Sequence, residues 1–83
     1  MASGKGRLAS LSVGVRLKLA RDKRGLTMAR LGELADVGST TIDSIEKGKK
    51  QPRGDTVERL ARALGVSACW LHYDQGEKPV WES

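Results

Sequence analysis

The sequence contains very few of the residues on which several classes of protein depend. It has one cysteine, one histidine and no phenylalanine, and aromatic residues make up only 4% of its 83 residues. A single cysteine excludes an internal disulfide, and one cysteine with one histidine cannot supply the four ligands of a structural zinc site. The scarcity of aromatics favours a small core of Leu, Val, Ile and Ala over a β-sandwich. We therefore expect a bundle of short helices.

Long apolar stretches are also missing. No run approaches the roughly 20 residues that cross a bilayer, and residues 1–10 hold no continuous apolar segment of the kind found in signal peptides. The length suits one domain, which argues against a two-domain enzyme with an active-site cleft. These absences predict a cytoplasmic protein.

The charge of the chain is positive and unevenly placed. Fifteen Lys and Arg residues against ten Asp and Glu give a net charge of +5, and residues 1–24 hold seven of the cations against Asp22 alone. A second basic cluster lies in a stretch that glycine and proline mark as a loop: Lys47, Lys49, Lys50 and Arg53. Such clusters suit binding to nucleic acid, although a basic face that only keeps a small protein soluble fits the charge equally well.

Apolar side chains recur at helical spacing in five segments, which cover about residues 12–24, 28–35, 39–47, 56–64 and 68–71. Thr27 and Ser67 are predicted N-caps, and so is Asp55, which has Glu58 three residues later at the spacing of a capping box. Two glycines, Gly25 and Gly65, are predicted to end helices. We expect a flexible basic arm at 1–10, a domain at 11–72 and a tail at 73–83.

The second and third predicted helices follow each other across a short break, which is the arrangement of a helix-turn-helix. Around them, motif residues occur in a fixed order: Gly25-Leu26-Thr27, Leu31, Val37, Thr41-Ile42, Ile45-Glu46, Gly48, Pro52, Thr56, Ala63-Leu64-Gly65-Val66-Ser67 and Trp70-Leu71. In this order the chain resembles the phage-repressor and Cro-like helix-turn-helix family, also called XRE-like, over about residues 13–71. The resemblance implies an all-α, lambda-repressor-like domain, a compact bundle of about five short helices.

The resemblance also implies that residues 39–47 form a recognition helix that docks in the major groove of DNA. The side chains expected to contact bases are Ser39, Thr40, Asp43 and Ser44. Hydroxyl groups discriminate less between bases than a bidentate Arg or Gln does, so modest specificity is expected. Asp43 could accept a hydrogen bond from a cytosine amino group, or it could face solvent and weaken nonspecific binding.

Residues expected from the resemblance to contact phosphates lie on both sides of this helix: Arg21, Thr27, Met28, Lys47, Lys49, Lys50 and Arg53. Met28 stands where the family usually has Gln, so the backbone N–H groups of the helix N-terminus would hold the phosphate there. Arg21 and Glu46 match a family ion pair between the first and third helices. That pair could be purely structural, or it could also bring Arg21 near a phosphate.

Three further residues depart from the family pattern near the turn. Gly32 replaces an Ala and permits close approach of another helix. Asp36 replaces a Gly, and Gly38 replaces a Ser at the N-cap of the third helix; both are compatible with the backbone that the turn requires.

Four apolar residues fall outside the main stripes: Val15, Leu19, Val80 and Trp81. They could meet if the tail folds back over the first helix, or they could form a surface for a partner. The N-terminal arm, with Lys5 and Arg7, could add phosphate contacts or remain free. Cys69 and His72 are expected to have no catalytic role.

The resemblance implies a sequence-preferring transcriptional regulator, a repressor or Cro-like protein, that binds double-stranded DNA as a homodimer near the nucleoid. The chain offers no catalytic triad, metal site or P-loop, so it is not expected to be an enzyme, and no cofactor or small-molecule substrate is predicted. The alternative is a protein-interaction module of the same fold, antitoxin-like or a bridging subunit, with weak or no operator reading. The departures at Met28, Gly32 and Asp43 favour that alternative.

Overall fold

The computed structural model describes residues 13–82, which form five α helices and a final 3-10 turn. The helices are α1 (Val13–Lys23), α2 (Met28–Ala35), α3 (Ser39–Glu46), α4 (Gly54–Leu64) and α5 (Ala68–Tyr73), and the turn is Val80–Glu82. The predicted all-α class and the five short helices are confirmed. The predicted arm at 1–10, with Lys5 and Arg7, lies outside the described residues. Between residues 13 and 82, no helix combines the length and the apolar character needed to cross a membrane.

The core is built from apolar side chains that every helix contributes. Its fully buried large members are Leu17, Leu31, Ile42, Ile45, Val57, Leu60, Leu64, Trp70 and Leu71. Burying one such side chain stabilises the fold by roughly 1.5–3 kcal/mol. Because α3 contributes only its two isoleucines, one side of this helix is fixed on the core and its polar side stays at the surface.

Two of the predicted N-caps are confirmed. The hydroxyl of Thr27 accepts a hydrogen bond from the backbone N–H of Arg30 at 3.0 Å, and the hydroxyl of Ser67 accepts one from the N–H of Trp70 at 3.2 Å. Gly65 ends α4 in the left-handed conformation, with φ of 73°, as its sequence position predicts. Local sequence signals therefore set the start of α2 and α5 and the end of α4.

The predicted cap of α4 is wrong. The helix begins at Gly54, and its N-cap is Arg53, whose backbone is extended at φ −79° and ψ 162° and whose side chain makes no capping bond. Asp55 cannot form a capping box with Glu58 because the backbone is already helical at Asp55. Its carboxylate lies in the first turn of α4, where its negative charge interacts favourably with the positive end of the helix dipole and stabilises the helix.

A tight turn joins α2 to α3. Asp36 adopts the left-handed conformation, at φ 60° and ψ 47°, and the N–H of Val37 donates to the carbonyl of Gly32 at 3.0 Å. A Cβ at Gly32 would lie 2.5 Å from the Val37 carbonyl oxygen, so an alanine at this position would require the turn to open slightly. Gly38 is the extended N-cap of α3, and its carbonyl accepts from the N–H of Ile42 at 3.1 Å. The expectations for Asp36 and Gly38 are therefore confirmed, whereas the close approach at Gly32 is made by the carbonyl of Val37 in the turn and not by another helix.

The C-terminal segment returns to the helical body through Trp81. Its ring packs edge-on against Trp70, with ring centroids 5.5 Å apart, and the Lys23 Nζ at the end of α1 lies 5.9 Å from its centroid. Val80 is 90% exposed and Leu19 is 42% exposed, so these two stay uncovered. Of the two possibilities that the sequence leaves open, folding back of the tail occurs only at the end of α1, and it does not cover Leu19.

Candidate nucleic-acid interface

The polar side of α3 is presented at the surface opposite its buried isoleucines. Ser39 and Thr40 are exposed, and Asp43 and Ser44, one turn further on, are half-buried. The structure therefore brings the four predicted base-contacting residues together on one side of one short helix. Their hydroxyl and carboxylate groups can both accept hydrogen bonds, and the hydroxyls can also donate.

Asp43 and Lys47 form an ion pair along α3, with the Lys47 Nζ 3.2 Å from the Asp43 Oδ2. The pair is exposed and spaced i,i+4, so it stabilises the helix by about 0.3–0.5 kcal/mol. The pair also changes the charge of the surface, because the opposite charges of Asp43 and Lys47 cancel and leave the outer side of α3 without net charge. Attraction to a polyanion must therefore come from residues beside the helix.

The loop from α3 to α4, which we call the basic loop, supplies that charge. It begins at Gly48, which is left-handed at φ 77°, and its buried Pro52 anchors it to the body of the protein. Lys49, Lys50 and Arg53 are all exposed, and within residues 13–82 none of the three pairs with a carboxylate. The basic loop thus places three free cations directly after the neutral outer side of α3.

Arg21 and Glu46 join α1 to the last turn of α3. Arg21 donates two hydrogen bonds to the Glu46 carboxylate, from Nε to Oε2 at 2.7 Å and from Nη2 to Oε1 at 3.0 Å. The Nη1 of Arg21 donates a third hydrogen bond, to the carbonyl of Leu26 at 2.8 Å. The hydrogen bond with Glu46 raises the pKa of the Arg21 guanidinium above its ordinary value, so the group stays charged at every working pH. Only 11% of the Arg21 side chain is exposed, which leaves little of it for contact with a phosphate.

The N-terminus of α2 lies just after this ion pair. Thr27 is exposed and its hydroxyl is occupied as the N-cap, whereas Met28 is half-buried and packs against the core. Any anion held at this end of α2 would be bound by backbone N–H groups, without help from the Met28 side chain.

Sequence reasoning missed two residues that position this surface. Arg16 is buried, and its Nε and Nη2 donate to the carbonyls of Leu71 and His72, at 3.0 and 2.9 Å. Its place in the apolar stripe of α1, three residues after Val13, was the signal that a buried cation would be found there. Gly14, also buried, lies so close to α3 that a Cβ would collide with the carbonyl oxygen of Ile45. No local pattern marks such an approach.

Two residues of chemically reactive types lie on α5. Cys69 is an exposed free thiol, and the His72 ring stacks on Tyr73, with centroids 4.1 Å apart. Among the described residues, no three His, Cys, Asp or Glu side chains are grouped closely enough to hold a metal ion.

A family profile and individual known proteins both show similarity between this chain and helix-turn-helix proteins. The profile of a helix-turn-helix family matches residues 17–71. The HTH-type transcriptional regulator PrtR of Pseudomonas aeruginosa is 40% identical over 65 residues, which are 78% of this chain and 25% of PrtR. The immunity repressor protein of Bacillus phage phi105 is 36% identical over 56 residues, which are 68% of this chain and 39% of that protein. The chain thus spans well under half the length of these relatives.

Among solved structures, the chain resembles the P22 c2 repressor, crystallised in complex with a synthetic operator. The two superpose with a TM-score of 0.72 and 26% identity, over 77% of this chain and 97% of the repressor chain.

Proposed function

Because the chain belongs to the helix-turn-helix family of the phage-repressor and Cro-like type, we propose that it is a DNA-binding transcriptional regulator that docks α3 in the major groove. The observation that carries this proposal is the arrangement of α3, whose isoleucines fix it on the core while its polar side stands free beside the basic loop. The major groove, about 12 Å wide, admits one α helix. The P22 c2 repressor, which is similar in fold, is described as bound to an operator.

Base reading would depend on short polar side chains. Ser39, Thr40 and Ser44 can donate to or accept from several base edges, and Asp43 can accept from a cytosine amino group. None of these side chains offers the bidentate contact that separates one base from the other three. We therefore expect a preference among sequences that is real and modest.

Affinity would depend on phosphates. Lys49, Lys50 and Arg53, which are exposed, would neutralise phosphates beside the groove, and the N–H groups at the start of α2 would hold another. Each neutralised phosphate adds about 0.9 to the slope of log affinity against log salt, so the three cations alone predict a slope of about 2.7. Binding should therefore weaken steeply as salt rises.

The proposal extends to the oligomeric state of the protein, its location in the cell and the direction of regulation. We propose a homodimer that reads two half-sites about 34 Å apart along the duplex, as expected for two symmetric helix-turn-helix units. We propose that it acts in the cytoplasm at the nucleoid, as a repressor. The name of the phage phi105 relative supports repression.

A random-pool selection tests the base-reading part. The purified chain should enrich one duplex sequence, and symmetry in that sequence would report a dimer. Thr40→Ala combined with Ser44→Ala should abolish the preference for the enriched duplex over a scrambled one while the protein stays folded. Glu58→Ala with Arg62→Ala is the matched control, because both side chains are exposed on α4 and their loss leaves the net charge unchanged. This control should retain the preference.

Failure to enrich any sequence, together with unchanged weak binding in the Thr40 and Ser44 variant, would contradict operator reading. The protein-interaction module would then be the better description of the chain.

A further inference from the structure

A cleft of about 590 Å³ lies between the C-terminal end of α1, the connection from α4 to α5, and the C-terminal segment. Its volume falls within the range of roughly 300–1,000 Å³ that is usual for small-molecule sites. None of its lining residues belongs to the polar side of α3 or to the basic loop. The proposed DNA interface therefore leaves this cleft without a role.

One part of the cleft is apolar. Leu64, Val66 and Pro79 line it, together with the ring of Trp81. The ring is held in place because it packs edge-on against the fully buried Trp70. A ligand could therefore lay an apolar body on a surface that is already positioned.

The other part of the cleft is positively charged. Lys23, Arg24 and Lys78 line it, and Glu77 is the one carboxylate among its described lining residues; no ion pair among the side chains described in residues 13–81 involves any of these three cations. The guanidinium of Arg24 lies over Gly65, where an added Cβ would be only 2.8 Å from its Nη2. The glycine that ends α4 thus also makes room for Arg24 at the edge of the cleft.

We propose that this cleft binds a small amphipathic anion, that is, a carboxylate or sulfonate carried on an apolar body. Arg24 would hold the acidic group through its planar guanidinium, and Lys23 and Lys78 would add attraction. The apolar body would lie against Trp81 and Val66. A free inorganic anion would leave the apolar part of the cleft unused, and a neutral apolar molecule would leave the cations unpaired.

Octanoate is a suitable probe, and its binding can be followed by tryptophan fluorescence and by amide chemical shifts. We expect saturable binding, with shift changes confined to Lys23, Arg24, Gly65 and the indole N–H of Trp81. Acetate has the charge without the apolar body, octanol has the body without the charge, and octyltrimethylammonium has the opposite charge. All three should bind much more weakly. Equal binding of octanol or acetate, or shift changes at another surface, would overturn the proposal.

Variants of the full chain localise the effect. Arg24→Gln with Lys78→Gln should weaken octanoate binding at least about tenfold, since charge-assisted hydrogen bonds to the acid are lost. Arg59→Gln with Arg62→Gln removes the same charge from a second cleft, between α2 and α4, and should leave binding unchanged. An equal loss in both variants would mean that binding follows net charge, and the proposal would fail.

The site is independent of DNA binding, and one more variant separates the two functions. Lys49→Gln with Lys50→Gln should weaken binding to a duplex and leave octanoate binding intact. Loss of octanoate binding in this variant would contradict the assignment of the cleft.

Discussion

The guanidinium of Arg21 on α1 donates two hydrogen bonds to the carboxylate of Glu46 on α3, with donor–acceptor distances of 2.7 and 3.0 Å. The Glu46 side chain is only 4% exposed, so the pair is shielded from water. It therefore fixes the end of α3, the helix on which the proposed function depends, relative to the rest of the fold.

Loss of Glu46 should be costly. Glu46→Ala leaves the largely buried Arg21 with only the exposed carboxylate of Asp22, 3.8 Å from its Nη1, and we expect a loss of about 3 kcal/mol in the free energy of unfolding in urea. Glu33→Ala is the control, because Glu33 pairs with Arg30 at 2.8 Å but both side chains are well exposed. That variant should lose less than about 0.5 kcal/mol. Similar losses in the two variants would mean that burial does not strengthen the first pair.

Substitution of glycine by alanine should have opposite effects on stability at Gly14, which is in close contact with α3, and at Gly54, which faces open space. Gly14→Ala drives a methyl group into the carbonyl of Ile45 and should cost about 2 kcal/mol or more. Gly54→Ala meets open space at the start of α4 and should be neutral or stabilising, by up to about 1 kcal/mol, because alanine favours the helix. Thermal unfolding of the two variants, compared with the parent chain, checks both signs, and a stable Gly14→Ala protein would rule out the close approach of α1 to α3.

Arg16 connects α1 to the end of α5, and its removal should loosen that end. Arg16→Leu keeps the apolar volume and leaves two carbonyls without their charged donor, so we expect a loss of about 2 kcal/mol. Lys18→Leu, at an exposed position on the same helix, should change stability by less than about 0.5 kcal/mol. Urea unfolding, with the near-ultraviolet signal of the packed Trp70 and Trp81 rings as a second readout, distinguishes the two. A neutral Arg16→Leu variant would show that the carbonyls are satisfied without it.

If α3 docks on DNA, substitution of Asp43 should change the affinity of the protein for nonspecific DNA. Asp43→Asn removes a negative charge from the docking side and releases Lys47 from its ion pair. Binding to a scrambled duplex should strengthen several-fold at low salt, and the salt slope should steepen by up to about 0.9 as Lys47 becomes free to meet a phosphate. Fluorescence anisotropy at several salt concentrations measures both quantities. An unchanged slope would mean that Lys47 does not reach the DNA.

The parts of the fold that could be predicted from the sequence are those set by neighbours along the chain. The hydroxyls of Thr27 and Ser67 cap helices that start one residue later, and the apolar spacing identifies which side of α3 is buried. Asp55 is of a residue type that caps helices equally well, but the helix begins one residue before it, at Gly54, with Arg53 as the N-cap. Propensity alone does not decide between adjacent starting points.

The features that could not be predicted depend on contacts between distant segments. Arg16 reaches the carbonyl of a residue 55 positions away, and the approach of Gly14 to Ile45 exists only after α1 and α3 have packed. The candidate interface is intermediate in this respect. Helical spacing predicts that Ser39, Thr40, Asp43 and Ser44 share one side of α3. The ion pair of Asp43 with Lys47 lies at the i,i+4 spacing of the same helix.

Chemical-shift mapping of the labelled protein during titration with a mixed-sequence duplex of about two helical turns tests the central claim most directly. Docking of α3 predicts that shifts change first at Ser39, Thr40, Asp43 and Ser44, at the start of α2 and along the basic loop, and that these changes disappear at high salt. Changes centred on the C-terminal end of α1 and on Trp81, with the amides of α3 unmoved, would contradict it.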